Sequence, residues 1–473
     1  MDRTCIICGV AANSREHVFP AALGGRRTNK GIYCEKHNGE YSGLADIIVN
    51  QMRFFNSQLG VVGDHQKSTG EVKPVLMVDS ATNAEVWLTN NSTSYAKPRI
   101  LSSGSKLEGG KSSVLAVNSM QELDAYVAEM KAKGIEIRID SVGESTRYYA
   151  GTLERRLELG GNDTGLRAIT YIAQTFLAHT FPELARLPAL ASVKNYTLTG
   201  AGNDFVWWLA PTNDGLDAVR KPFNHQVIVG HNADDNVIYA RVSLFGALHY
   251  GVALGRAPTA VSRAVVFDID PLTMHAPHDV KKTVYQEAVG YVLKPKNLTE
   301  NLSVSIKNGH AKAAIDLLMK NIEDHRRAAV ARKWLQELAR VQPDTPEAAN
   351  LFFERLVSDE SGHVLRLLES FKLEFIRSLS ATTDEAIPKV IDYMNSNIVR
   401  DPSSFDGLTP YGRMLLKASS SALKRHLMDA FVSGQLDQHE MEMFLSGGRG
   451  QHAVGTAVLD EAFIKLFGFA WNS

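Results

Sequence analysis

From about residue 300 onward, apolar residues recur at three- and four-residue intervals. Ile315, Leu318, Met319 and Ile322 form one stripe, and Ala331, Trp334, Leu335 and Leu338 form another. Ala349, Phe352, Phe353 and Leu356, then Val364, Leu367, Leu368 and Phe371, continue the rhythm. Helices that bury a single face produce this spacing. It predicts an all-helical region over 300–473, punctuated by Pro343, Pro346, Pro388, Pro402 and Pro410. The stripes share no fixed period, so a solenoid is not supported.

Between 73 and 290 the rhythm changes. Val75–Val78 and Ala84–Leu88 read as a hairpin. Ser119 with Glu122 forms a capping box for a helix that Gly134 ends. Ile135, Ile137 and Ile139 alternate with polar residues, which predicts a half-buried strand. A further helix is predicted over 163–179, with Ile169, Ile172, Ala173, Phe176 and Leu177 facing inward. Strand-like runs follow at 206–209, 226–229, 237–245, 249–254 and 265–269, separated by Gly, Asn and Asp. Their close succession predicts an antiparallel sheet in an α+β domain. Trp207 and Trp208 read as core or interface, and Gly200–Gly202 and Gly447–Gly450 as turns. Met274–Asp279, with two histidines flanking a proline, reads as a loop.

The first 58 residues form a third region, set off by a Gly- and Ser-containing linker over 56–72. Apolar residues at 44, 47, 48 and 52 predict a helix beginning near Glu35, and Gly31–Tyr33 reads as a short strand before it. All three cysteines of the chain lie here, as Cys5 and Cys8 in one C-x2-C pair and Cys34 three residues before His37. Three thiols and an imidazole at this spacing are the ligand set of a structural zinc. Such an ion would fold a segment too small to own a core. An odd cysteine count argues against a disulfide framework.

Composition adds bounds. A length of 473 residues suggests about two to four domains, and 44% hydrophobic with 22% charged residues is ordinary for globular protein. No run reaches the length of a membrane span and no secretory apolar region opens the chain, so a cytoplasmic protein is expected. The formal net charge is −1, which gives no chain-wide pull toward nucleic acid. The basic residues Arg15, Arg26, Arg27, Lys30 and Lys36 instead crowd the cysteine-rich segment. They could contact phosphates.

That segment, over roughly residues 3–55, resembles the HNH nuclease family, the ββα-metal fold. The resemblance rests on Glu16-His17, Pro20, Gly24-Gly25, Asn29 five residues before Cys34, and Asn38 directly after His37. Two departures stand out. The second metal pair is Cys34-x2-His37 where the family usually has two cysteines, so His37 could join a catalytic metal instead of zinc. Glu16 stands where Asp is common. The resemblance implies phosphodiester hydrolysis with His17 as general base, Asn29 orienting its ring, and a Mg2+ or Mn2+ ion held by Asn38 and Glu16. Asn38 in the first turn of the helix would also sit among free N–H groups that favour phosphate. Asp46, two turns further on, reads as a solvated residue.

The expected molecule is therefore an α+β protein with an N-terminal zinc-held nuclease domain over 1–58, an α+β domain over 73–290 and a helical domain over 300–473. Its expected substrate is double-stranded DNA. The near-neutral body would regulate or target the cutter, alone or through a homo-oligomer, a partner protein or an activating ligand. That layout resembles prokaryotic antiphage effectors. The alternatives are a free-standing nicking or restriction-type endonuclease and a non-catalytic zinc-knuckle adaptor.

Overall fold

The structure is a computed structural model. It describes residues 3–63, 73–89, 93–107, 110–143, 153–155, 163–202, 205–209, 222–259, 261–273, 280–281, 307–379, 386–401, 404, 406–446 and 448–468. Met274–Asp279 and Gly447 lie outside the described residues. The architecture is mixed, with a cysteine-rich N-terminal hairpin and helix, a central sheet and a helical C-terminal region. Contacts divide the chain into two compact units. One comprises Met1–Val75, Leu88–Ser92 and Arg156–Glu323, and the other Leu76–Trp87, Thr93–Arg155 and Asp324–Ser473.

The first unit begins with a tight turn through Cys5 and Cys8. The Cys5 N–H donates to the Val10 carbonyl (2.6 Å), and Gly9 takes the left-handed conformation (φ +75°) that the reversal needs. Two short antiparallel strands follow, β1 (Glu16–His17) and β2 (Thr28–Asn29), with Glu16 opposite Asn29 and His17 opposite Thr28. The pair lies at 16–17 and 28–29, not at Gly31–Tyr33 as expected. Ile32 and Tyr33 are fully buried, but their carbonyls accept from the Ile6 and Ser14 N–H groups, so they tie down the cysteine turn and the residues after it without forming a strand. Helix α1 (Glu35–Leu59) begins where predicted and runs on to Gly60, which caps it at φ +70°. Residues 56–59 thus belong to the helix and not to a linker. Its buried stripe is His37, Tyr41, Leu44, Ile48, Met52 and Phe55.

The Gly24-Gly25 pair has a steric explanation. A Cβ on Gly24 (φ +92°) would lie 2.7 Å from the Pro271 Cα, and one on Gly25 would lie 2.0 Å from the Phe19 carbonyl oxygen. Neither obstacle is the end of a flexible side chain. Gly25→Ala is therefore expected to cost this unit about 3 kcal/mol, read as an earlier thermal transition of the 3–63 and 163–273 segments. An unchanged transition would show that the 19–27 loop can yield.

Helix α2 is Met120–Ala132, and β3–β8 are Val75–Asp79, Ala84–Leu88, Thr93–Tyr95, Arg99–Leu107, Gly110–Ala116 and Leu153–Glu154. They form a four-stranded sheet in the order β5-β4-β3-β8 and a separate β6–β7 ribbon. The Ser119 hydroxyl accepts the Glu122 N–H, and the Glu122 carboxylate accepts the Asn118 N–H, so the predicted capping box forms one residue wide of its usual reciprocal arm. The strand expected at 135–140 is absent: Ile135 and Ile139 are exposed, and alternation without a face to bury against holds no strand.

The centre of the first unit is helix α3 (Asp163–Thr180) laid on a six-stranded antiparallel sheet. The sheet runs β14-β13-β10-β11-β12-β9, where β9 is Val206–Leu209, β10 His225–Asn232, β11 Val237–Leu244, β12 Leu248–Arg256, β13 Arg263–Ile269 and β14 Val280–Lys281. Val227, Val229, Ile238, Val242, Val252 and Phe267 supply its helix-facing side. Trp208 joins this core, edge-on to Tyr250 at 5.2 Å, while Trp207 covers Gly251 on the other face. Gly200 ends helix α4 (Ala191–Thr199) at φ +79°, the turn expected of it. The cysteine-rich segment has no core of its own. Phe19 and Phe55 pack against Phe176, His225 and Phe245, so hairpin, α1, α3 and sheet share one continuous core.

The helical region holds the helices His310–Val341, Pro346–Asp359, Ser361–Leu379, Ala386–Ser396, Pro410–Val432, Gln438–Ser446 and Gly448–Phe467. Trp334, Phe352, Phe353, Leu356, Leu368 and Leu415 lie in its core, as their periodicity predicts. Pro346 and Pro410 open helices, each behind a capping threonine, Thr345 and Thr409. The glycines at 448 and 450 start a helix rather than make a turn. A Cβ on Gly450 would lie 1.8 Å from the Phe444 carbonyl oxygen, so the residue serves close packing. Among the described residues, no helix is long and apolar enough to cross a membrane.

Candidate metal centre

The Cys5–Cys8 turn and the start of α1 bring four ligands together. One ligand atom from each of Cys5, Cys8, Cys34 and His37 lies within 4.8 Å of the others. Tetrahedral zinc with bonds of about 2.3 Å to sulfur and about 2.0 Å to nitrogen has ligand–ligand edges of about 3.8 Å and about 3.6 Å. The Cys8–Cys34 sulfurs are 3.8 Å apart, and His37 Nδ1 is 3.6 Å from the Cys5 sulfur and 3.3 Å from the Cys34 sulfur. The set could therefore hold a metal ion such as zinc.

His37 enters this set through Nδ1. Its other nitrogen, Nε2, is 3.7 Å from the Glu40 carboxylate, the arrangement that fixes a ligating imidazole from behind. Burial works against ionising the Cys5 thiol. The N–H groups of Cys8, Cys34 and Ile7 outweigh it and hold the thiol below its ordinary range. Cys8 is shifted up, by desolvation first and then by the neighbouring thiols, whose crowding a cation would relieve. Arg186 braces the turn from outside, donating to the Thr4 hydroxyl, the Thr4 carbonyl and the Gly31 carbonyl.

The four grouped side chains flank the hairpin and open α1: Glu16, His17 and Asn29 lie between Cys8 and Cys34, and Asn38 follows His37 directly. Paired residues of an antiparallel ladder share a face and neighbours alternate. Glu16 and Asn29 therefore lie on one face, and His17 and Thr28 on the other. On the His17 face, Arg15 donates to the Thr28 hydroxyl at 3.0 Å. On the opposite face stands α3. Three of its residues, one turn apart, meet three segments of the N-terminal region. The Tyr171 hydroxyl donates to Glu16 Oε1 (2.5 Å), Thr175 Oγ1 meets the Tyr33 hydroxyl (2.9 Å), and His179 Nδ1 meets Asn29 Nδ2 (2.9 Å).

The hydrogen-bond chain settles the protons on His179. The Gly31 N–H donates to Asn29 Oδ1 (2.7 Å), so the amide presents its NH2 group to His179, and Nδ1 accepts. The ring is then neutral with its proton on Nε2. Burial, and then the charge of Arg27, shift His179 below its ordinary pKa and favour that state. Asn29, expected to orient His17, thus spans Gly31 and His179. Across the ladder its partner is Glu16, while His17 stands opposite Thr28. Burial raises the Glu16 pKa, against the opposing bonds from Tyr171 and the His17 N–H.

Asn38 is one of several described residues with a buried polar atom that takes no hydrogen bond. Its Oδ1 is buried and takes no hydrogen bond, while its N–H closes the first turn of α1 onto the Cys34 carbonyl at 2.9 Å. A buried carbonyl-type oxygen without a donor is costly unless something else, such as a cation, satisfies it. Asp46 is exposed, as expected. Of the basic residues, Arg26 is committed to the carbonyls of Ala21 and Val62, and Lys36 pairs with Glu40, while Lys30 is exposed.

Sequence reasoning missed Tyr171, Thr175 and His179. The signal was present as Tyr171, Thr175 and His179 at i, i+4 and i+8 on a helix that is buried throughout from Ala168 to Ala178, Thr170 and Gln174 included. Read alone, that spacing shows only that a stripe exists and not what it faces. No protein-family model, curated protein or solved structure matches this chain.

Proposed function

We propose that the chain is a metal-dependent endonuclease of the HNH type that hydrolyses phosphodiester bonds of double-stranded DNA. What supports this reading is a Cys3His cluster at the start of α1, a half-exposed histidine on the hairpin between its two ligand pairs, and a buried Asn38 Oδ1 without a hydrogen bond one residue past His37. His17, half-exposed on the outer face of the hairpin, takes the proton from an attacking water. Asn38 Oδ1 and the free oxygen of Glu16 are the groups that would hold a Mg2+ or Mn2+ ion. When bound, that ion neutralises charge on the phosphate and the leaving oxygen. Arg15 and Lys30 contribute positive charge near the scissile strand.

The rest of the chain decides when the cutter acts, in the manner of a gated defence effector. The formal net charge of −1 gives the molecule no chain-wide electrostatic pull toward DNA. Assembly of several copies on one duplex, or an activating ligand, would supply the missing affinity.

Cleavage of supercoiled plasmid by the full chain, with Mg2+ or Mn2+ and with candidate nucleic-acid or nucleotide activators, tests this reading. Asn38→Ala is expected to raise the divalent metal needed for half-maximal cleavage by about tenfold or more, with zinc retained. No cleavage by the wild-type protein under any of these conditions would leave the zinc-knuckle adaptor as the better reading.

A further inference from the structure

We propose that helix α3 is a working part of the nuclease site, with Tyr171 positioning the metal-facing carboxylate of Glu16 and His179 positioning the hairpin through Asn29. The proposal rests on the nuclease reading above and adds two residues to it from a region that bears no resemblance to a nuclease.

The geometry is specific. Tyr171 and His179 lie two turns apart on one face of α3, and each makes a single side-chain hydrogen bond to the inward face of the hairpin. Tyr171 holds Glu16 Oε1, so the other carboxylate oxygen is the one that would meet a cation. Glu16 is one methylene longer than the aspartate common at this position. Its extra rotamer freedom would blur a metal site, and a bond from a buried tyrosine removes that freedom. The Tyr171 ring is itself stacked on Tyr41 of α1, with centroids 5.3 Å apart, so the hydroxyl is carried on a fixed support.

His179 acts on a different property. Its Nδ1 gives the Asn29 amide its acceptor, and Gly31 fixes the amide from the other end. Asn29 sits opposite Glu16 and next to Thr28, which is opposite His17. Losing the acceptor would free the ladder rung that carries the general base, without touching the groups that hold the cation.

The two residues therefore predict separable defects, measured on the full chain. In Tyr171→Phe, the dissociation constant for Mn2+ alone, read by calorimetry without DNA, should rise about tenfold. The metal needed for half-maximal cleavage should rise in step, and turnover at saturating metal should stay within about twofold of wild type. In His179→Leu, turnover should fall about tenfold or more with Mn2+ affinity unchanged. His179→Asn, whose Oδ1 takes the place of Nδ1, should recover most of it. An unchanged Mn2+ affinity in Tyr171→Phe, or equal defects in His179→Asn and His179→Leu, would overturn the proposal. So would loss of zinc or a lower melting temperature in Tyr171→Phe, since the helix face would then be a packing surface only. The nuclease reading fails separately. A wild-type protein that never cuts DNA, yet binds Mn2+ in a Tyr171-dependent way, refutes the nuclease and leaves the helix-held cation site standing. A wild-type protein that cuts, beside an inert His17→Ala and unaffected helix variants, refutes only the role of α3.

Discussion

His17→Ala is expected to lower plasmid cleavage by about 10²–10⁴ while leaving zinc content and fold intact. The magnitude is that of removing a positioned general base. The specificity comes from where the residue sits. His17 lies on β1 opposite Thr28, on the face of the hairpin turned away from α3, and its imidazole is not among the four grouped ligands. It belongs neither to the continuous apolar core nor to the four grouped ligands. The hairpin is held instead by backbone pairing, including the Val18 N–H to the Arg27 carbonyl at 2.9 Å. The measurement compares wild type and variant at saturating metal, with zinc by elemental analysis and helix content by circular dichroism. Cleavage within twofold of wild type would remove His17 from the chemistry.

Cys34→Ser, or removal of the metal by a strong chelator, is expected to unfold more than the segment that holds the metal. Cys34 is both a ligand and the residue that precedes the first turn of α1. Structural zinc contributes an apparent ~10–16 kcal/mol at neutral pH, against a typical domain stability of ~5–15 kcal/mol. Losing it therefore removes an amount comparable to the whole stability of the unit. Tyr41, Ile48, Met52 and Phe55 share one core with Ile172, Phe176 and Phe245, so the damage has no boundary at residue 58. Hydrogen exchange should show lost protection over 3–63 and 163–180, with protection kept over 346–379 and 410–467, where Phe353, Leu368, Leu427 and Val458 form a core of their own. Full protection in metal-free Cys34→Ser would show that the thiols are not a structural site.

The same shared core changes what a truncated protein would do. A fragment ending near residue 60 exposes Phe19, Phe55 and Tyr41 to water and strips Glu16 and Asn29 of Tyr171 and His179. Inactivity of such a fragment would thus follow from folding alone. Point variants in the full chain are the cleaner way to separate regulation from stability.

Elements whose residues bury one face against anything apolar were legible in the sequence. The helices at 35–59, 120–132 and 163–180, the strands at 206–209 and 225–269, and the helical C-terminal region all declare themselves by period, because a 3.6- or 2-residue repeat needs no particular neighbour. The errors came where the neighbour decides. Ile135, Ile137 and Ile139 alternate correctly, yet no partner strand meets them. Ile32 and Tyr33 look like a strand, yet their backbone bonds serve the cysteine turn. Gly448 and Gly450 look like a turn, yet they let one helix start against the end of another.

The candidate site divides in the same way. The sequence by itself marked the four side chains that the structure groups, because Cys5–Cys8 and Cys34–His37 are local pairs at metal-ligand spacing. It also marked Glu16, His17, Asn29 and Asn38 as candidates through the resemblance to the HNH pattern, the first three between the two pairs and Asn38 directly after His37. Only the tertiary structure decided that Glu16 and Asn29 face one way and His17 the other, because strand register, not residue type, sets the face. Only the tertiary structure brought Tyr171, Thr175 and His179, some 140 to 155 positions away in the chain, onto that inward face. A hydrogen bond across such a separation leaves no periodic trace in the sequence. It exists because one apolar core binds hairpin, helix and sheet together, and its polar contacts fall wherever that packing sets two groups about 3 Å apart.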